Sequence, residues 1–126
     1  MDFSDTLDAY LAAIQARDLD ALSALLAPND QLTLILPNGM HMTGYDEVTE
    51  FHRTWFSDEE WTITSELLHS VETDSMALAL LLVDYDDLDP SGKPYHLQYY
   101  LSLSFMHVGG EWLLIHDQNT LVHEGR

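Results

Sequence analysis

The pair of glycines Gly109-Gly110, between two long segments of alternating residues, is the feature that most constrains the fold. Consecutive glycines tolerate the positive φ angles of a two-residue turn, so the segments on either side are predicted to pair as antiparallel strands. This turn predicts that Ser102 pairs with Asp117 and Tyr100 with Asn119. Because side chains alternate with a period of two, all four are then expected on one face. One face of the ribbon is then predicted to collect hydroxyl, carboxylate and amide groups, and the other to be mostly apolar.

Charge excludes two classes of partner. The chain carries 22 acidic residues against four Lys and Arg, a formal net charge of -18. Nucleic acid and anionic membranes bind through clustered cations, so we predict neither as a partner. The acidity is typical of a protein adapted to solubility or high salt, and the alternative is attraction of a cationic ligand or a basic partner.

Length and composition predict one domain over residues 1–126, with a single hydrophobic core. No apolar run reaches the roughly 18 residues that a membrane helix needs, and the acidic N-terminus does not resemble a signal peptide. We therefore predict a cytoplasmic protein, and the lack of cysteine fits a reducing compartment. The histidines show neither i, i+4 spacing nor an HExxH motif, so we predict no metal site, and we expect no cofactor.

Helical periodicity dominates the first half of the chain. Apolar residues recur at helical spacing from Ser4 to Ala16, a second helix is predicted between Asp18 and Pro28, and a third begins after Gly44. Between the second and third helices, the sequence predicts a short strand, a Pro-Asn-Gly turn and a brief return strand.

From Trp61 onward the period changes to two, which predicts antiparallel strands near residues 60–72, 75–86, 94–107 and 111–123. Three helices followed by such strands predict an α+β domain, in which a curved antiparallel sheet packs one face on the helices. We expect the mostly apolar face of the last hairpin to lie outward and to form a homodimer contact, because large bare apolar patches are rare on monomers. That face is predicted to hold Leu97, Tyr99, Leu101, Leu103, Phe105, Trp112, Leu114, His116, Gln118 and Thr120.

Three stretches, AYLAAIQARDLDALSALLAPND, LPNGMHMTGYDEVTEFHRTW and GGEWLLIHDQNT, carry a resemblance to a known family. In order and length they are similar to the opening helices, the turn with the third helix, and the final strand of the nuclear transport factor 2-like superfamily, including its SnoaL-like and ketosteroid-isomerase-like branches. The resemblance spans nearly the whole chain. It implies a cone whose concave sheet and first and third helices enclose a pocket, and a convex sheet face that often makes a dimer.

The resemblance also implies site residues. Tyr10 falls where the isomerase branch has a tyrosine that donates a hydrogen bond to a substrate carbonyl, and His52 falls at its second pocket tyrosine. Ser102 occupies the position of that branch's protonated aspartate. Leu36 stands where the general-base aspartate is expected. A leucine cannot accept a proton, so the ketosteroid isomerase route is not expected.

The hairpin register supplies another carboxyl group, Asp117, on the predicted pocket face. Burial among apolar neighbours is expected to raise its pKa towards neutrality, as acid–base chemistry requires. We hypothesise that Asp117 transfers a proton while Tyr10 and Ser102 orient a polarised oxygen. The predicted ligand contacts are His52, Trp55, Tyr100, Ser102 and Asn119.

Two functional interpretations stay open. One is a cofactor-independent isomerase, dehydratase or cyclase that acts on a modest apolar molecule bearing a carbonyl or hydroxyl group. The alternative is a non-catalytic ligand-binding or dimeric interaction domain. The missing base favours the second, and the polar groups around Asp117 favour the first. An enclosed cavity in which Asp117 and Tyr10 converge would favour the enzyme.

Overall fold

The computed structural model describes residues 1–122, which form three helices and a curved six-stranded sheet. The predicted end of the last strand, at His123, lies outside the described residues. The helices are α1 (Phe3–Ala16), α2 (Leu19–Ser23) and α3 (Tyr45–Phe56). The strands are β1 (Thr33–Ile35), β2 (His41–Thr43), β3 (Thr62–Glu72), β4 (Met76–Leu88), β5 (Pro94–Val108) and β6 (Glu111–Leu121). The predicted α+β class is confirmed.

Side-chain caps and one left-handed residue set the limits of the first two helices. The Asp2 carboxylate accepts a hydrogen bond from the Asp5 backbone N–H at 2.8 Å and caps α1. Arg17, with φ of 53°, ends this helix, and Asp18 caps α2. The second helix ends at Ser23, earlier than predicted.

The sheet has the strand order β2-β1-β6-β5-β4-β3, and β3 to β6 pair in antiparallel fashion as predicted. The short strand β1, for which no pairing with a long strand was predicted, runs parallel to β6. The segment after α2 already lies along β6, since the Leu114 carbonyl accepts from the Ala27 N–H at 2.9 Å and the Leu114 N–H donates to the Leu25 carbonyl. The chain therefore enters β1 in the direction of β6.

A β-bulge changes the register of the last hairpin. The pairing predicted from Gly109-Gly110 holds as far as Phe105 with Leu114, and Ile115 is then left without a partner. One extra residue in β6 moves every later pair by one position and reverses which side chains share a face.

The predicted Ser102–Asp117 and Tyr100–Asn119 pairs are consequently wrong. Asp117 lies opposite Leu103, while Ser102 pairs with Gln118 and Tyr100 with Thr120.

The bulge brings both halves of β6 into the core. Trp112 and Leu114 face inward before it, and Asp117 and Asn119 face inward after it. The apolar face that was predicted to lie outward is largely the inner face, because it packs against the helices. The residues that were predicted outside and lie inside are Leu97, Tyr99, Leu101, Leu103, Phe105, Trp112 and Leu114.

Helix α1 closes one end of the concave face. The ring of Phe3 packs edge-on against Phe105 at 5.3 Å between centroids and against Trp112 at 5.5 Å. Tyr10 reaches the same Phe105 ring from two turns further along α1. Each large side chain buried in this way contributes roughly 1.5–3 kcal/mol, so these rings fix α1 on the sheet.

No helix within residues 1–122 has the length and apolar character needed to cross a membrane.

Candidate functional site

An apolar cavity of about 400 Å³ lies between the concave face of the sheet, α1, α3 and the turn after β1. Its volume is within the range of small-molecule sites. Its lining residues are Ile14, Leu34, Leu36, Pro37, Asn38, Phe51, His52, Trp55, Ile63, Tyr85, Leu97, Tyr99, Leu101, Asp117, Asn119 and Leu121. The position of the cavity between the concave face of the sheet and the helices makes it the candidate site.

Asp117 provides a buried carboxyl group in the wall of this cavity, with 6% of its surface exposed. The hydroxyl of Tyr10 donates to its Oδ2 atom at 2.9 Å, and the Nδ2 group of Asn119 donates to its Oδ1 atom at 3.0 Å. Asn119 also donates to the carbonyl of Ile35 at 2.7 Å. The carboxyl group is therefore held from two sides, by α1 and by its own strand.

Burial sets the proton affinity of this cluster. Desolvation raises the pKa of Asp117 to about 6, against the opposing effect of the hydrogen bonds from Tyr10 and Asn119. Burial and the neighbouring carboxylate raise the pKa of Tyr10 far above its ordinary value, so Tyr10 stays a donor. Asp117 is mostly ionised near neutral pH, but its affinity for a proton is well above that of an exposed aspartate.

The structure does not assemble the predicted pair of Tyr10 and Ser102 around a ligand oxygen. Tyr10 has no exposed surface, and it gives its one hydroxyl hydrogen to Asp117. Ser102 lies on the opposite face of the sheet, as does Tyr100, which is 42% exposed. The prediction that Ser102 and Tyr100 face the pocket is wrong, because it assumed a hairpin without a bulge.

Tyr99 takes the place that was predicted for Tyr100. Its ring lines the cavity with 6% of its surface exposed, and its hydroxyl makes no hydrogen bond with any other residue in the range 1–122. Burial, together with the nearby charge of Asp117, raises the pKa of Tyr99. A neutral, unengaged O–H group therefore stands within the electrostatic reach of the buried carboxylate.

Sequence reasoning missed Tyr99, although a signal was present. Tyr99 lies on the same strand face as Leu97, Leu101 and Leu103. An apolar strand face most often packs on the core of its own domain.

His52, on α3, lies in the wall of the cavity with 2% of its surface exposed. Its Nδ1 atom is 2.8 Å from the carbonyl of Val48, which accepts a hydrogen bond only from a protonated Nδ1. Burial lowers the pKa of His52 to about 4, so the ring is neutral near pH 7. The Nε2 atom is left as a hydrogen-bond acceptor.

Aromatic rings form the α3 wall of the cavity. Trp55 stacks on Trp61 with 4.3 Å between centroids, and its Nε1 group donates to the Tyr85 hydroxyl at 3.3 Å. Tyr85 in turn donates to Asp87 at 2.6 Å. The guanidinium of Arg17 lies 3.7 Å above the Trp61 ring and binds the backbone carbonyls of residues 58 and 61. Trp55 is thus a rigid part of the wall.

The turn between β1 and β2 forms another side of the opening. Leu36, Pro37 and Asn38 line the cavity, and the turn is closed by a hydrogen bond from the Leu36 N–H to the Met40 carbonyl. Leu36 lies in the pocket wall and offers no proton acceptor there. Sequence reasoning identified this turn but did not place Asn38 in the site.

Within residues 1–122, no three or more His, Asp and Glu side chains are grouped so that they could hold a metal ion.

The family described as "SnoaL-like domain" matches residues 4–122 of this chain. No curated protein matches the chain by sequence.

Solved structures share the fold at low sequence identity. A ketosteroid isomerase-like protein from Erwinia carotovora atroseptica has 18% identity and a TM-score of 0.79, with 95% of this chain and 93% of that chain covered. A candidate dehydratase of the NTF2-like family from Streptomyces avermitilis has 17% identity and a TM-score of 0.77, with 94% and 93% covered. The association domain of CaMKII from C. elegans has 20% identity and a TM-score of 0.67, with 94% and 92% covered. At these identities the likeness shows the fold alone.

Proposed function

Because this chain belongs to the SnoaL-like domain family, we propose that it is a cofactor-independent isomerase, dehydratase or cyclase. Its substrate is a small, largely apolar molecule that carries a carbonyl or hydroxyl group. The observation that carries this proposal is the Asp117 carboxyl group, which lies in the wall of an apolar cavity and accepts hydrogen bonds from Tyr10 and Asn119.

Asp117 is the acid–base group of the proposed reaction. The ionised carboxylate removes a proton from the carbon beside the substrate carbonyl, so that the C–H bond breaks and an O–H bond forms on Asp117. The electron pair moves towards the carbonyl oxygen and gives an enolate. In an isomerisation, Asp117 returns the proton to a different carbon of a conjugated enolate. In a dehydration, Asp117 gives the proton to a hydroxyl on the neighbouring carbon, the C–O bond breaks, water leaves, and the electron pair of the enolate forms the new C=C bond.

Tyr99 is the donor best suited to the developing negative charge. A hydroxyl with no protein partner can turn towards a ligand oxygen, whereas the Tyr10 hydroxyl would have to leave Asp117. Tyr10 is therefore a positioning residue, which keeps the carboxylate oriented and lowers its pKa relative to burial alone.

Two acceptors complete the polar lining. Both N–H bonds of the Asn119 amide are used, towards Ile35 and Asp117, so its oxygen is left for a ligand. The Nε2 atom of the neutral His52 is the second acceptor. We propose that these groups accept from a substrate hydroxyl, while Trp55 and Phe51 pack on its apolar part.

Exchange of α-protons tests the acid–base role without knowledge of the natural substrate. We expect the protein to speed deuterium exchange at the α-carbons of cyclic ketones in D2O, measured by proton NMR. Asp117→Asn should lower the catalysed rate by about 10²–10⁴-fold, as is usual for loss of a general base. Asp86→Asn is the matched control, since Asp86 is exposed on the outer side of β4. Exchange by Asp117→Asn at the parental rate would remove this carboxylate from the mechanism.

We also propose that the outer face of the sheet forms a homodimer, in line with the interaction-domain alternative. Met76, Leu78 and Tyr100 expose between 37% and 42% of their surfaces on neighbouring strands. The association domain of CaMKII, which has the same fold, is named for assembly. This contact differs from the sequence prediction in its residues, because the large side chains predicted there lie in the core.

A further inference from the structure

A second, smaller pocket lies beneath α1, on the side of the sheet that holds β3. Its volume is about 140 Å³, and almost all of its lining surface is apolar. The lining residues are Leu11, Ala12, Ile14, Gln15, Ile63, Ser65, Val83 and Leu101. A pocket of this kind is suited to hydrocarbon, because it offers almost no hydrogen-bonding group to water.

Three residues line both this pocket and the main cavity: Ile14 on α1, Ile63 on β3 and Leu101 on β5. A single layer of aliphatic side chains therefore separates the two spaces. Rotamer changes of exposed or partly exposed side chains are fast, and Ile63 is only half-buried. Ile63 is therefore the side chain of this layer that can change rotamer most readily, whereas Ile14 and Leu101 are buried.

The edges of the second pocket are fixed by polar contacts. The Gln15 side chain donates to the Ile63 carbonyl and joins α1 to β3. Two residues further along the chain, Arg17 binds the carbonyls of Asp58 and Trp61 and holds the end of α1 in place. Small exposed residues, Ala12 on one side and Ser65 on the other, border the opening between these elements. The gap beneath α1 is thus maintained by the fold.

We propose that the ligand is elongated, with its carbonyl or hydroxyl end at Asp117 and Tyr99 and an apolar tail that passes Ile14 and Ile63 into the second pocket. This inference rests on the proposed function, because it assigns the polar end of the molecule to the same carboxyl group. It adds the class of ligand: an alkyl or similarly slender chain on a carbonyl-bearing head. The hydrocarbon then occupies a space beside the cavity that is almost free of polar surface.

Chain length is the measurable consequence. Each methylene group that moves from water into an apolar pocket strengthens binding by about fourfold, which corresponds to ~0.8 kcal/mol. A ligand confined to the main cavity should stop gaining affinity once that cavity is full. A ligand whose tail reaches the second pocket should continue to gain over several more methylene groups.

Methyl alkyl ketones with chains from butyl to decyl are the probes, and isothermal titration calorimetry measures their dissociation constants. In the unmodified protein we expect affinity to rise through the longer members of the series. Ala12→Phe and Ser65→Phe, which fill the second pocket from opposite walls, should weaken the longest ketones by at least tenfold and leave the butyl ketone unchanged. Ala16→Phe and Thr64→Phe are matched controls, since both residues are exposed and line neither pocket.

The outcomes separate this inference from the proposed function. If the short ketones bind but affinity levels off early, and neither filling variant affects the long ones, the tail site is wrong while the main site stands. If none of the ketones binds the unmodified protein, the proposed carbonyl site fails and the tail site fails with it. If a filling variant weakens the binding of short and long ketones equally, the substitution has disturbed the fold rather than blocked the tail. That result would contradict the tail site at the wall that carries the substituted residue.

Discussion

Asp117 and His52 are two buried titratable groups in one cavity, and burial shifts their pKa values in opposite directions. The pKa of Asp117 is raised from 3.8 to about 6, so the folded protein holds this proton more tightly than the unfolded chain does. The pKa of His52 is lowered from 6.5 to about 4, so the folded protein holds that proton less tightly. Burial penalises the charged form of each group.

These shifts give opposite slopes of stability against pH. For Asp117, the folded state binds more protons between about pH 4 and pH 6, so the free energy of unfolding falls as the pH rises through that window. For His52, the unfolded state binds more protons between about pH 4 and pH 6.5, so the free energy of unfolding rises with pH there. The two contributions largely cancel in the unmodified protein.

Single substitutions should reveal each slope. Asp117→Asn removes the destabilising ionisation, so we expect this variant to gain stability relative to the parent as the pH rises from 4 to 7. A shift of about two pKa units corresponds to a change of roughly 3 kcal/mol over that range. Urea unfolding at several pH values measures the difference. A constant difference between variant and parent would show that the carboxyl group titrates normally.

His52→Gln should give the opposite result. The lowered pKa of His52 gives the parent a contribution to stability that is fully present above about pH 6.5 and is lost as the pH falls through 4. The variant lacks this contribution. We therefore expect the free energy of unfolding to rise less in the variant than in the parent between pH 4 and pH 7. The deficit at pH 7 should be of similar size to the change expected for Asp117→Asn. His69→Gln is a suitable control, since its side chain is exposed on the edge strand β3 and lies outside the cavity.

At the scale of elements, the last hairpin depends on its turn and its bulge. Gly109 and Gly110 have φ angles of 58° and 83°, and both are required for a two-residue turn between Val108 and Glu111. We expect Gly110→Ala to lower the free energy of unfolding by about 1–2 kcal/mol, because a Cβ atom is unfavourable at this φ.

Gly109→Asn is the matched control for the turn, because asparagine tolerates the left-handed conformation at φ near 58°. No neighbouring atom lies within 4 Å of a Cβ added at either glycine, so backbone conformation alone separates the two variants. Chemical unfolding of both proteins measures the effect. Equal loss of stability in the two would show that the turn does not have the predicted type.

The turn could be predicted from sequence and the bulge could not. Two consecutive glycines between strands are a strong signal for a tight turn. Ile115 is a typical strand residue, and nothing in the sequence around it indicates a bulge. The prediction placed Asp117 and Asn119 inward, as the structure does, but it placed Tyr100 and Ser102 beside them by extending a regular register. A shift of one residue in the strand pairing therefore moved these side chains to the opposite face of the sheet.

At the scale of the whole molecule, charge opposes association. With a formal net charge of -18 per chain, two copies that meet through the outer sheet face repel each other, while Met76, Leu78 and Tyr100 favour contact. Salt shortens the range of the repulsion from about 10 Å at 0.1 M to about 3 Å at 1 M. The favourable free energy of burying apolar surface between the two copies changes little. Dimerisation through this face is therefore expected to strengthen with salt.

Size-exclusion chromatography with light scattering tests that expectation. We expect the mass to rise towards twice 14.4 kDa as sodium chloride increases, and Leu78→Glu to hold the protein as a monomer at every concentration. Leu68→Glu is a comparison at an exposed leucine of the edge strand β3. A mass of one chain at high salt and micromolar concentration would contradict the dimer.

The sequence by itself determined the α+β class, the order of helices and strands, the position of the last turn, and the parity of side chains within each uninterrupted strand. These properties follow from local periodicity, capping and glycine conformation, which involve residues close together in the chain. Only the tertiary structure decided that Leu97, Leu101 and Phe105 face the helices, that a bulge forms at Ile115, and that the Tyr99 hydroxyl is left without a protein partner. Those outcomes depend on pairing and packing between distant segments, where one extra residue in a strand exchanges its two faces.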